Sequence, residues 1–70
     1  MTPADLRAAR ERLGLSTADF ARVIGAGDRS VIWRWETGSR AVPESVALLL
    51  AMVEAVPGAR SWLMGRLPER

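Results

Sequence analysis

The sequence predicts an all-α fold of four or five short helices. Three observations carry this. Ser/Thr-x-x-Asp capping boxes open two segments near the start. Apolar residues recur at helical spacing between glycine and proline punctuation. No stretch alternates as a strand would. Thr2-Pro3-Ala4-Asp5 combines a capping box with proline at the first helical position, Leu6, Ala9 and Leu13 share one face, and Gly14 stops the helix. Helix 1 is therefore expected over about 3–13. Ser16-Thr17-Ala18-Asp19 opens helix 2, about 17–24, which carries Phe20, Val23 and Ile24 and ends at Gly25. The turn Gly25-Ala26-Gly27 leads to Asp28, an N-cap for Ser30 or Val31, and helix 3 is expected over about 29–37. Pro43 opens helix 4, about 43–56, with Glu44 in its first turn and Val46, Leu49, Leu50 and Val53 as its buried stripe. Pro57-Gly58 breaks the chain, and a last short helix is expected over 59–66.

Seventy residues make one domain, 1–70, and hardly enclose a water-excluding catalytic cleft. Apolar residues at 49% against 26% charged favour folding over disorder. A chain this small buries only about 60% of its unfolded surface, so pairing with a second copy would help it. Cys, His, Lys, Tyr, Asn and Gln are all absent, which removes the usual general bases, Schiff-base amines and soft metal ligands. The chain therefore reads as no enzyme, with no cofactor and no metal. The start MTPADLRAAR has no apolar run after its charges, and the longest apolar stretch, Val46 to Val53, is far short of a membrane span. A cytoplasmic location is expected.

The placement of charge is more informative than its total of +2. Residues 1–21 and 41–70 each set three arginines against three acids. Residues 22–40 carry Arg22, Arg29, Arg34 and Arg40 against only Asp28 and Glu36. The whole excess lies in the middle segment, as expected when one element approaches a polyanion. At 100° per residue, Ile32 and Trp35 of helix 3 point together into the core. Ser30, Trp33, Arg34 and Thr37 point away, with Arg29 at one edge. Two guanidiniums, two hydroxyls and an indole thus share one outward face. Arginine can bond guanine O6 and N7 in parallel, and serine or threonine can bond a base edge or a phosphate.

Two short helices joined by a glycine-containing turn make the helix-turn-helix pattern. The chain resembles the phage-repressor/Cro-like (XRE-type) helix-turn-helix family over roughly residues 4–56. The resemblance rests on Leu13-Gly14-Leu15-Ser16, Ala18-Asp19-Phe20-Ala21, Ile24-Gly25, Ile32, Arg34-Trp35-Glu36 and Gly38. It implies a compact four- or five-helix, repressor-like DNA-binding domain. It also implies a homodimer that inserts helix 29–37 into the major groove of a two-fold, double-stranded DNA operator. Carried over by position, Arg29, Ser30 and Arg34 fall at base-contacting positions, and Trp33, on the same exposed side where the family varies, is taken as a base contact with them. Ser16 and Thr17 match a phosphate-holding helix start, Arg40 falls in a loop that often touches the backbone, and Arg22 and Thr37 are expected as further phosphate contacts. Arg10 and Glu36 match a buried ion pair between helices 1 and 3. The turn is one residue longer than the tightest members have, which allows helix 3 to rotate. The absence of glutamine leaves arginine–guanine contacts as the expected code.

Plainer readings stand beside these. Trp35 belongs to the core. Trp33 stacks on sugar, touches a thymine methyl, or covers the edge of helix 4. Arg29 has an ion pair to Asp28 as its competing role. Trp62 and Leu63 either cap the core or form a dimer interface. The leading function is a sequence-specific DNA-binding transcriptional regulator, a small repressor of its own or a neighbouring operon, of Cro-like, antitoxin-like or anti-CRISPR-associated type. The alternative is a protein-interaction module, such as an antitoxin that mainly covers a toxin or other partner protein.

Overall fold

Local chemistry sets where each helix begins. The structure, a computed structural model, describes residues 1–68. Thr2 accepts from the Asp5 amide while its own amide donates to the Asp5 carboxylate, the reciprocal box that starts α1, Pro3–Leu13. Ser16 Oγ accepts from the Asp19 amide at 3.1 Å and starts α2, Thr17–Ile24. The Asp28 carboxylate accepts from the Ser30 amide at 2.8 Å and starts α3, Arg29–Glu36. Two further helices follow, α4 over Glu44–Ala55 and α5 over Pro57–Met64. Among the described residues there is no strand, so the all-α expectation holds.

Three helices differ from the bounds expected. Helix 3 ends one residue early, because Thr37 takes the C-cap position. Helix 4 begins at Glu44, with Pro43 in extended backbone as its N-cap, and ends at Ala55. The last helix begins at Pro57 rather than 59, and ends at Met64 rather than 66. Proline at the first helical position lacks only an amide that would go unpaired anyway, and its ring presets φ. Pro57 therefore starts α5, and extended Val56 alone separates α4 from α5, which bend by 117°.

The core draws on every helix. Leu6, Phe20, Val23, Ile32 and Leu63 are its most completely buried large side chains, joined by Leu13, Leu15, Trp35, Leu50 and Val53. Burial of a side chain of this size contributes about 1.5–3 kcal/mol over leaving it in water. α3 packs against both α1 and α2, and α5 packs against α2 and α4. Arg66 ties the C-terminal end of α5 to α2 by donating from Nε to the Val23 carbonyl at 2.7 Å. α3 is thus held from two sides, and the placement of its free face is fixed. Among the described residues, no single helix is long and apolar enough to cross a membrane.

Candidate nucleic-acid interface

The interface begins with the clamp that orients α3. Arg10 on α1 grips Glu36 on α3 with two parallel bonds, Nε to Oε2 at 2.7 Å and a terminal nitrogen to Oε1 at 3.1 Å. Its remaining arm donates to the Leu15 carbonyl at 3.0 Å, and Arg7 adds Nε to Glu36 Oε1 at 3.3 Å. The Glu36 side chain is 5% exposed and that of Arg10 17%. The Arg10 hydrogen bonds hold the Glu36 carboxyl below the usual glutamate range, against the opposing effect of burial. A bidentate pair fixes rotation as well as distance. With Ile32 and Trp35 in the core, α3 therefore presents one defined side outward.

The turn before α3 sets its pitch. Gly25 ends α2 in left-handed backbone at φ 71°, and the Ala26 amide bonds back to the Ala21 carbonyl at 2.8 Å. Gly27 sits at φ 92°, where a side chain is strained. The extra residue of this turn is absorbed by these two glycines, and α3 keeps the face expected for it. Arg29, Ser30, Trp33, Arg34 and Thr37 are all exposed, while Ile32 and Trp35 are buried.

Hydrogen bonding distinguishes the residues of this face. The Ser30 hydroxyl donates to the Asp28 carboxylate, so its proton is engaged at the helix start. That bond, followed by the one from the Ser30 amide, keeps the Asp28 carboxyl below its ordinary range. Arg29 makes no ion pair with Asp28, nor with any other of the described residues. Trp33 is 61% exposed. At the other end of α3, the Arg34 carbonyl accepts from the Arg40 amide at 3.2 Å and from the Thr37 hydroxyl at 3.3 Å. These bonds fold the following loop back and bring the Arg40 backbone beside Arg34.

A cleft of about 260 Å³ joins Thr17 at the start of α2 to Arg29, Ser30 and Trp33 of α3. Ser16, exposed, caps the same end of α2, and among the described residues the Thr17 and Ala18 amides have no acceptor. Such a helix start suits an anion. Arg22 lies on the last turn of α2, away from this cleft. The expected contact residues therefore fall into a group at the α2–α3 junction and a second group, Arg34, Thr37 and Arg40, at the end of α3.

The arginines divide in the same way. Arg7, Arg10, Arg12, Arg60 and Arg66 are bound internally, to Glu36, to Glu54, or to backbone carbonyls. Among the described residues, Arg22, Arg29, Arg34 and Arg40 make no ion pair and no side-chain hydrogen bond, and all four are exposed. The unbalanced charge of the middle segment is thus also the unbound charge. A larger concavity, about 460 Å³, lies between α1, α4 and α5, but no residue of α3 lines it, and there Arg12 is already paired with Glu54.

The expected pair Trp62 and Leu63 separates. Leu63 is fully buried within the chain, which removes it from any interface between copies, whereas Trp62 is 61% exposed with the Arg66 guanidinium 5.6 Å from its ring centre. Neighbouring helical residues point about 100° apart, so one faces the core and the other solvent. Arg7, not expected on Glu36, joins Arg10 there, and its three-residue spacing from Arg10, which places both on one side of α1, is the signal that could have found it.

A capped helix, a glycine turn and a second helix clamped with its cationic side outward define a helix-turn-helix. The chain belongs to the helix-turn-helix domain family, in its XRE-like group, and the family match covers residues 4–62. Comparison with curated proteins and with solved structures found no match. The family assignment points to a DNA-binding regulator.

Proposed function

We propose that this chain is a sequence-specific regulator of transcription that binds double-stranded DNA with α3 in the major groove. The observation that carries the reading is that three of the four unbound arginines, Arg29, Arg34 and Arg40, lie on the exposed side of α3 or in the loop that follows it. Arg29 and Arg34 are suited to base edges. Ser16, Thr17, Arg22, Thr37 and Arg40 surround them as phosphate partners. Ser30 contributes an acceptor rather than a donor, because its proton is held by Asp28. The type is Cro-like, antitoxin-like or that of a small operon-linked regulator, acting as a repressor by excluding polymerase from a promoter. A dimer would place two α3 helices in successive major grooves, about 34 Å apart. Trp62, Leu48 and Met52 are exposed apolar side chains able to form its seam.

The same exposed residues favour the second reading, a module that covers another protein. Titration of duplex affinity against salt separates the two. A regulator loses affinity steeply as salt rises, with a logarithmic slope of several units per protomer. A partner-covering module shows weak duplex affinity at every salt concentration.

A further inference from the structure

We infer that the cleft between α2 and α3 is a receptor for the 5-methyl group of a pyrimidine in the major groove, with Trp33 as its discriminating wall. This rests on the DNA-binding reading and adds to it what chemistry is read. The cleft runs from Thr17, at the phosphate-suited start of α2, to Trp33 on the outward side of α3. In duplex DNA the pyrimidine C5 position is the part of the major-groove base edge nearest its own strand's phosphates. A cleft bridging a phosphate-holding helix start and a groove-entering helix therefore meets that position first. In thymine, C5 carries a methyl group.

The lining favours a methyl over a keto group. The exposed surface of the cleft is mainly apolar, and Trp33 is the aromatic side chain that lines it. Ser30, one of its lining side chains, has its proton engaged by Asp28 and so none to offer a keto oxygen. Arg29 lines the same cleft without an ion-pair partner among the described residues, and its guanidinium suits a neighbouring guanine or phosphate. No amide side chain exists anywhere in the chain to read adenine. The methyl has two sources, thymine and 5-methylcytosine, which present the same group at the same place.

The test starts from the duplex selected as tightest from a random pool. Each thymine is replaced in turn by uracil, which removes only the methyl, and each cytosine by 5-methylcytosine. Affinities are read by fluorescence anisotropy at fixed salt for the wild type, Trp33→Ala and Trp33→Phe, with helicity checked by circular dichroism. Loss of one buried methyl weakens binding roughly fourfold. The expected result is one position per half-site where uracil weakens the wild type by about that factor, or where methylating cytosine strengthens it by as much. Thymine sensitivity assigns the natural ligand to unmodified DNA, and sensitivity at cytosine alone assigns it to methylated DNA. Trp33→Phe retains discrimination and Trp33→Ala binds both duplexes alike. If no methyl changes wild-type affinity, or if Trp33→Ala discriminates as well as the wild type, the inference is wrong. If no duplex binds in a salt-sensitive way, the DNA-binding reading itself fails, a result distinct from the other two.

Discussion

Replacing Glu36 by Gln keeps the volume of the side chain and removes its charge. The Arg10 guanidinium is then left in a site where its side chain is 17% exposed, facing a neutral amide. Removing one partner of a buried pair costs about 3–5 kcal/mol. Arg10 retains its bond to the Leu15 carbonyl and some water, so a loss of about 2–3 kcal/mol is expected here. A chain of this size has a total stability of roughly 4–10 kcal/mol. At about 4–8 °C per kcal/mol, the midpoint of thermal unfolding falls by roughly 10–20 °C. Ellipticity at 222 nm followed against temperature reads this directly. Acid gives the companion signature. The folded Glu36 carboxyl lies below its ordinary value of 4.5, so its contribution is complete above that pH. It disappears as pH falls from there through the folded value, because the protonated form no longer pairs. Wild type therefore loses stability on acidification in this window, and Glu36→Gln loses less. The double variant Arg10→Met, Glu36→Leu regains most of the loss at neutral pH, since an apolar pair leaves no orphaned charge. A Glu36→Gln midpoint within about 2 °C of wild type would show that the clamp does not fix α3.

Three further outcomes follow from the same geometry. Arg34→Ala costs about 1–3 kcal/mol at one base pair in a panel of single-base operator variants, whereas Arg40→Ala weakens all duplexes alike and lowers the salt slope by about one. Gly27→Ala loses about 1–2 kcal/mol in denaturant unfolding, because its backbone stands at φ 92° although the space around a Cβ is open. Leu63→Ala costs about 2–5 kcal/mol in the same assay, as expected for a fully buried leucine, and leaves assembly unchanged. Trp62→Ala does the reverse, and sedimentation velocity reads the difference.

The parts of the fold that were legible in the sequence are those set by neighbours along the chain. Thr2, Ser16 and Asp28 each cap the helix they precede, since a side-chain oxygen needs only an amide two or three residues on. The outward side of α3 was legible because Ile32 and Trp35 leave a single way to turn it. The Arg10–Glu36 pair was named through resemblance, and its third member Arg7 was not, because the partner lies twenty-nine residues away. Pro57 was read as a break when it starts α5, since proline suits both roles and only packing decides. For the same reason Trp62 and Leu63 could not be told apart: their phase against the core depends on how α5 turns back on α2. The cleft between Thr17 and Trp33 depends on the relative placement of two helices, which no local pattern encodes.

The most direct measurement is the two-dimensional amide spectrum of the labelled protein as the selected duplex is added. Perturbations are expected at Ser16 and Thr17, at Arg29 to Arg34, and at Thr37 and Arg40, with a new environment for the Trp33 indole. The exposed residues of α4 should change only where copies meet. Shifts that gather on α4 and α5 while Arg29 to Arg34 stay unmoved would contradict the assignment of α3 as the element that enters DNA.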